Sequence, residues 1–126
     1  MRGMSYTART MRWLREQGII YDNAEKFNPH VGPFGIRQDL FGFIDIVALD
    51  PEHGIIAIQS TSGGCHSGHR KKILEDRTIR AMEWLECGKG RTKIWLISWT
   101  KKLLKRGGKA RRWMPRIEEI TLENFK

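Results

Sequence analysis

Residues 42–49, Gly42-Phe43-Ile44-Asp45-Ile46-Val47-Ala48-Leu49, and residues 55–61, Ile55-Ile56-Ala57-Ile58-Gln59-Ser60-Thr61, decide the fold. Both are apolar, strand-like runs rich in β-branched residues. The short stretch between them carries Pro51 and His53-Gly54, which suits the turn of an antiparallel hairpin. One polar residue is planted inside each run. A lone carboxylate or amide in such a place is costly to bury without a partner or a cation, so Asp45 and Gln59 are the first candidates for a site.

Working outward, Ser5 is placed to cap a helix running to about Gln17, with Met4, Ala8, Met11 and Leu14 on one face and Gly18 as its stop. Residues 19–22 start a strand, residues 28–35 are turn-rich, and residues 36–40 extend again. After the hairpin, a small-residue loop at 62–68 leads into a helix predicted over 69–87. Its apolar positions are Ile73, Leu74, Ile79, Met82 and Leu85, with Gly88 after them. Residues 93–100, Lys-Ile-Trp-Leu-Ile-Ser-Trp-Thr, are apolar on both alternating faces, the pattern of an interior strand covered on two sides. Residues 116–122 suit a last edge strand. The expectation is an α/β fold with a mixed central sheet flanked by helices, formed by one domain over residues 1–126 with a basic segment at 101–116.

At 126 residues the chain is long enough to bury a self-sufficient core. No apolar run approaches the ~20 residues of a membrane span, and residues 1–10 have no signal-peptide core, so a cytoplasmic protein with no membrane partner is expected. Cys65 and Cys87 are then reduced thiols. The net charge of +9 is concentrated. Between Glu86 and Glu118 there is no acid but eleven basic residues, while the remainder of the chain sums to −2. Such a concentration costs self-repulsion, and a polyanion relieves it by supplying phosphates and releasing counterions. Nucleic acid is the expected partner, through Lys101, Lys102, Lys105, Arg106, Lys109, Arg111 and Arg112, with Arg70 and Lys71 at the helix start adding positive charge after the glycine-rich loop.

Asp45 and Gln59 lie across a hairpin from each other, and adjacent strands are ~4.8 Å apart, so both can reach one hard cation such as Mg²⁺ or Mn²⁺. In these residues the chain resembles the PD-(D/E)XK nuclease superfamily, in particular small archaeal and phage Holliday-junction resolvases and related phage nucleases. Gly42-Phe43-Ile44-Asp45 stands as the G-x-x-D element, and Gln59-Ser60-Thr61 stands in the place of (D/E)-x-K. The resemblance implies a restriction-endonuclease-like αβββαβ core. It also implies Mg²⁺-dependent hydrolysis of DNA phosphodiesters, branched DNA as substrate, and a homodimer that places two sites across a junction. Carried over, Asp45 is the central metal ligand, Gln59 the second, and Glu16 on the first helix matches the location of an acid in some resolvases.

The chain departs from the pattern twice. Gln59 lacks the charge of the expected carboxylate, and Thr61 provides no ammonium. Asp39, six residues before Asp45, is a candidate to restore the charge and a third metal ligand; Lys72 or Lys71 is a candidate to replace the missing lysine. A nuclease fold without catalysis, serving as a DNA-binding module, is therefore the alternative, and a small RNA-binding protein is a third reading. Each residue also has a structural reading: Asp45 as a capping group, Gln59 as a partner for buried backbone, Asp39 as an ion pair with Arg37. Cys65, His66, His69 and Cys87 match no zinc-motif spacing. Trp95 and Trp99 are expected in the core, whereas Trp113, among arginines, suits either base stacking or a partner interface.

Overall fold

The computed structural model describes residues 3–126. The hairpin forms as its pattern requires. Strand β4 (Ile46–Asp50) pairs antiparallel with β5 (Gly54–Ser62), Ile46 facing Ile58 and Asp50 facing Gly54. The preceding strands are β1 (Ile20–Asn23), β2 (Lys26–Asn28) and β3 (Ile36–Gln38). Strands β6 (Thr92–Leu103) and β7 (Arg111–Ile120) complete a five-stranded sheet in the order β1-β4-β5-β6-β7, and β2 and β3 form a separate two-stranded ribbon. The sheet is mixed, because β5 and β6 run parallel while all its other pairs are antiparallel. A parallel pair needs a long crossover, and helices α2 (His66–Lys71) and α3 (Thr78–Gly88) supply it.

Alternation along the strands divides the core in two. Ile46, Ala48, Ile56, Ile58, Trp95, Ile97 and Trp99 face helix α1 (Tyr6–Glu16) and its buried Leu14; Ala57, Ile94, Leu96 and Ile120 face Ile73, Ala81 and Leu85. Trp95 and Trp99 are thus core residues, as their strand pattern predicts. The Ser5 side chain caps α1 by accepting the Ala8 N–H at 3.1 Å. Inside that interface Thr10 is fully buried, and its hydroxyl accepts from Trp99 Nε1 (2.8 Å) and Ser60 Oγ (2.9 Å), which fixes the helix to the two central strands. Met4 precedes the helix and is exposed, so it is not part of the buried face.

Three sequence expectations are corrected. The helix predicted over 69–87 starts earlier, at His66, and is interrupted by a π turn (Lys72–Asp76) and a non-helical Arg77. Ile79, expected on the apolar face, is instead 77 % exposed, and Ala81 and Leu85 take the core positions of α3. Asp45 is not inside a regular strand: Phe41 (φ 55°) and Gly42 (φ 81°) make a left-handed turn, and β4 begins only at Ile46. Finally, β7 starts at Arg111, so much of the basic segment is paired strand.

The hairpin turn offers a test of the packing. Gly54 has φ +96°, and a Cβ there would collide with the Arg91 carbonyl oxygen, which is itself held by the Ile55 N–H at 2.9 Å. Neither backbone can move aside without losing that bond. Gly54→Ala is expected to cost roughly 2–3 kcal/mol, read as a lowered urea midpoint with an unchanged slope; an unchanged midpoint would show that the turn and the start of β6 are not packed as described.

Candidate functional site

The acidic site lies at the end of the sheet where β4 begins and β5 ends. The Asp45 N–H donates to the Ile58 carbonyl at 2.9 Å, and Asp45 Oδ2 accepts the Ser60 N–H at 2.8 Å, so the residue is held by β5 on both its backbone and its side chain. Continuing the β4–β5 register sets Asp45 opposite Gln59. Both are buried, at 6 % and 1 % exposure.

The small β2–β3 ribbon brings the remaining acids. Lys26 pairs with Gln38 at its open end, so the next residues outward, Glu25 and Asp39, stand side by side. The Ala24 N–H donates to the Asp45 carbonyl at 2.8 Å, which draws that open end against Asp45. Carboxylate oxygens of Glu25, Asp39 and Asp45 lie within 4.8 Å of one another. Gln59 Nε2 donates to Asp39 Oδ2 at 3.5 Å, and Lys72 Nζ is 3.8 Å from the same oxygen. Glu25 accepts from Thr7 Oγ1 at 3.0 Å and meets Arg37 at 3.8 Å.

Three carboxyl groups so close resist ionising together. Burial, a hydrogen bond with Asp39, and the charges of Asp39 and Glu25 push the Asp45 carboxyl up to about 8, against the opposing pull of the Ser60 N–H. The Gln59 Oε1 atom is buried with no hydrogen-bond partner, whereas buried amide oxygens are nearly always satisfied. Three carboxylates thus converge, and beside them the Gln59 amide turns its nitrogen to Asp39 and leaves its oxygen without a partner.

The sequence-predicted residues Asp45, Gln59, Asp39 and Lys72 are therefore brought together, and Glu25 joins them. Glu16 does not: it is 60 % exposed and ion-paired with Arg12. Sequence reasoning missed Glu25 because its place depends on the register of β2 with β3, in a turn-rich region without alternation. It also missed Arg37, Arg77 and Arg80, which with Asp39 and Lys72 line an open cleft of about 520 Å³ beside the acids. Arg77 fixes one wall of this cleft, donating from Nε to the Gly42 carbonyl at 3.2 Å.

On α2, His66 is 3 % exposed and bridges Ser98 Oγ (Nδ1, 2.7 Å) to Glu118 (Nε2, 2.7 Å), whose second oxygen accepts from Arg70 Nε at 2.7 Å. Burial raises the Glu118 carboxyl, but its bonds from Arg70 and His66 outweigh that and hold it below the usual range. With Ser98 1 % exposed, the chain of contacts secures α2 to β6 and β7. Burial and the charge of Lys72 lower the neighbouring His69. Among the described residues, Cys65 and Cys87 are exposed free thiols that belong to no metal-binding group. Lys71 is 4.0 Å from Glu75. Lys102, Lys105, Arg106, Lys109, Arg111 and Arg112 are exposed and form no ion pair among the described residues. No described helix is long and apolar enough to cross a membrane.

Comparison of the chain with protein-family models, with curated proteins and with solved structures gave no match.

Proposed function

We propose that the protein is a metal-dependent DNA endonuclease of PD-(D/E)XK type. The observation that carries this reading is the convergence of the Asp45, Asp39 and Glu25 carboxylates at one end of the sheet, with the Gln59 amide against Asp39. Asp45 and Asp39 with Gln59, joined by Glu25, would hold Mg²⁺ or Mn²⁺. When bound, such an ion supplies a water nucleophile at neutral pH and charge neutralisation at the phosphate.

The chain's own groups account for the rest. Glu25 replaces the negative charge that Gln59 lacks. Lys72, held 3.8 Å from Asp39, is placed to stabilise charge developing on the phosphate, the role Thr61 cannot fill. Arg37, Arg77 and Arg80 line the adjoining cleft and give the phosphate backbone a path to the acids. The reaction is hydrolysis: water adds to phosphorus, one P–O ester bond breaks, and the leaving alkoxide takes a proton. Branched DNA and a homodimeric assembly belong to this reading through the resemblance to resolvases.

The second reading, a nuclease fold that binds DNA without cutting it, is favoured by one observation. Thr61, at the family's lysine position, is 6 % exposed and carries no charge. Incubating the protein with four-way junction, flap, single-stranded and linear duplex DNA in Mg²⁺ or Mn²⁺ separates the two. Metal-dependent cuts, strongest on the junction, are the expected result. Tight binding to every substrate with no cut in either metal would leave only the binding module.

A further inference from the structure

The acidic site leaves unexplained why β6 and β7 run on past the rest of the sheet. The last β5–β6 pair is Ser62 with Trp99, yet β6 and β7 remain paired as far as Leu103 with Arg111. Beyond residue 99 they continue as a two-stranded ribbon with no further strand beside it, closed by residues 104–110 and clear of the body past the Lys101–Trp113 pair. It leaves from the C-terminal end of β5, the end that carries Gln59, Asp45 and Asp39. We propose that this ribbon enters the major groove of B-form duplex DNA beside the acidic site, so that the substrate must offer an intact duplex arm next to the cut. Its placement relative to the cut rests on the nuclease reading; its binding to duplex does not.

Charge, shape and anchoring carry the inference. Pairing of Lys101 with Trp113, Lys102 with Arg112 and Leu103 with Arg111 puts Lys101 and Arg111 on one face and Lys102 and Arg112 on the other. Lys105, Arg106 and Lys109 occupy the tip, and no acid interrupts the series. Cations on both faces can reach the phosphates on both walls of a groove, whereas a flat surface would be served by one face. Two strands ~4.8 Å apart with side chains above and below match a major groove ~12 Å wide and ~8.5 Å deep. They are too broad for a minor groove of ~6 Å, and the major groove of A-form RNA is too narrow to admit them. Leu103 and Leu104, 49 % and 57 % exposed, find no core to join and suit apolar contact with base edges such as the thymine methyl.

The base of the ribbon is clamped. Trp113 has the Arg9 guanidinium 4.1 Å over its ring, Lys101 at 5.6 Å and the Tyr6 ring edge-to-face with it, ring centroids 6.1 Å apart. Trp113 therefore secures the ribbon to α1 and is not a platform open to bases, which fixes the direction in which the tip points. From Leu96, the β6 partner of Gln59, to Leu103 is seven residues, about 23 Å at ~3.3 Å each. That corresponds to roughly seven base pairs at ~3.4 Å per step.

The test measures binding of the full chain to a labelled duplex in EDTA, where no cleavage occurs. Duplex whose cytosines carry glucosylated hydroxymethyl groups, which fill the major groove, is expected to bind about tenfold more weakly; duplex saturated with netropsin, which fills the minor groove, is expected to bind as before. The variant Lys102→Ala/Lys105→Ala/Arg106→Ala/Arg112→Ala is expected to lower the slope of log K against log salt by about 3 to 4, with an unchanged melting temperature because these side chains lie outside the core. Equal binding to the glucosylated duplex, or loss of binding with netropsin, overturns the proposal. The groove measurements use the unaltered chain, so they decide even if the variant fails to fold. Failure here leaves Asp45-dependent cleavage untouched, and groove-dependent binding without cleavage overturns the nuclease reading alone.

Discussion

Asp45→Asn is expected to abolish metal-dependent cleavage, by at least about a thousandfold, and at the same time to make the metal-free protein more stable at pH 8. The Asp45 carboxyl ionises at about 8 in the folded chain, against 3.8 as its ordinary value. Between those limits the folded state holds a proton that the unfolded state has released. Stability from this group is therefore intact below about pH 4 and declines as pH rises, by about 1.4 kcal/mol per unit. It reaches a cost on the order of 5 kcal/mol near pH 8 and then levels off. Asparagine keeps an oxygen for the Ser60 N–H and brings no charge, so the melting temperature at pH 8 should rise by roughly 15 °C. The two proteins should converge near pH 4. Retained cleavage would remove Asp45 from the site; a lower melting temperature at pH 8 would show that its charge is already compensated.

Lys72→Met is expected to lower the cleavage rate about a hundredfold while duplex binding in EDTA stays within about twofold, as expected when one of many cations is lost. Methionine keeps most of the aliphatic stem and deletes the ammonium, so packing of the π turn is preserved. The same change should raise the pKa of His69, because the Lys72 charge is one of the two main causes holding it down; the imidazole proton shifts of His69 followed by NMR report this. Full activity in the variant would show that Lys72 does not stand in for a lysine at position 61.

The legible parts of the molecule were those encoded by short-range pattern. The β4–β5 hairpin follows from two period-2 runs around a turn, and β6 from an apolar run buried on both faces. Asp45 and Gln59 stood out because each contradicts the run around it. Glu25 broke no pattern: it sits in a polar stretch, and only the pairing of Lys26 with Gln38 sets it beside Asp39. The early start of β7 within the basic segment was not legible because lysines and arginines favour no strand, yet pairing with the core part of β6 carries β7 outward in register. The helix break at Lys72–Asp76 was not read from the sequence, because it turns Lys72 toward Asp39 while α3 packs the core, and both depend on tertiary contacts.

The parallel seam between β5 and β6 also sets an order of assembly. On either side of it lies a ribbon closed by a short connection, β4–β5 through residues 51–53 and β6–β7 through residues 104–110. Contacts near in sequence form early, and those that must close a long loop form late. The seam joins Ile55 to Thr92 and Ser62 to Trp99, across the whole α2–α3 crossover, so it is expected to close after both ribbons have formed. Until it does, Asp45 and Gln59 belong to one half of the chain and the groove-binding cations to the other. The two parts of the proposed DNA-binding surface are thus expected to come together only at that later step.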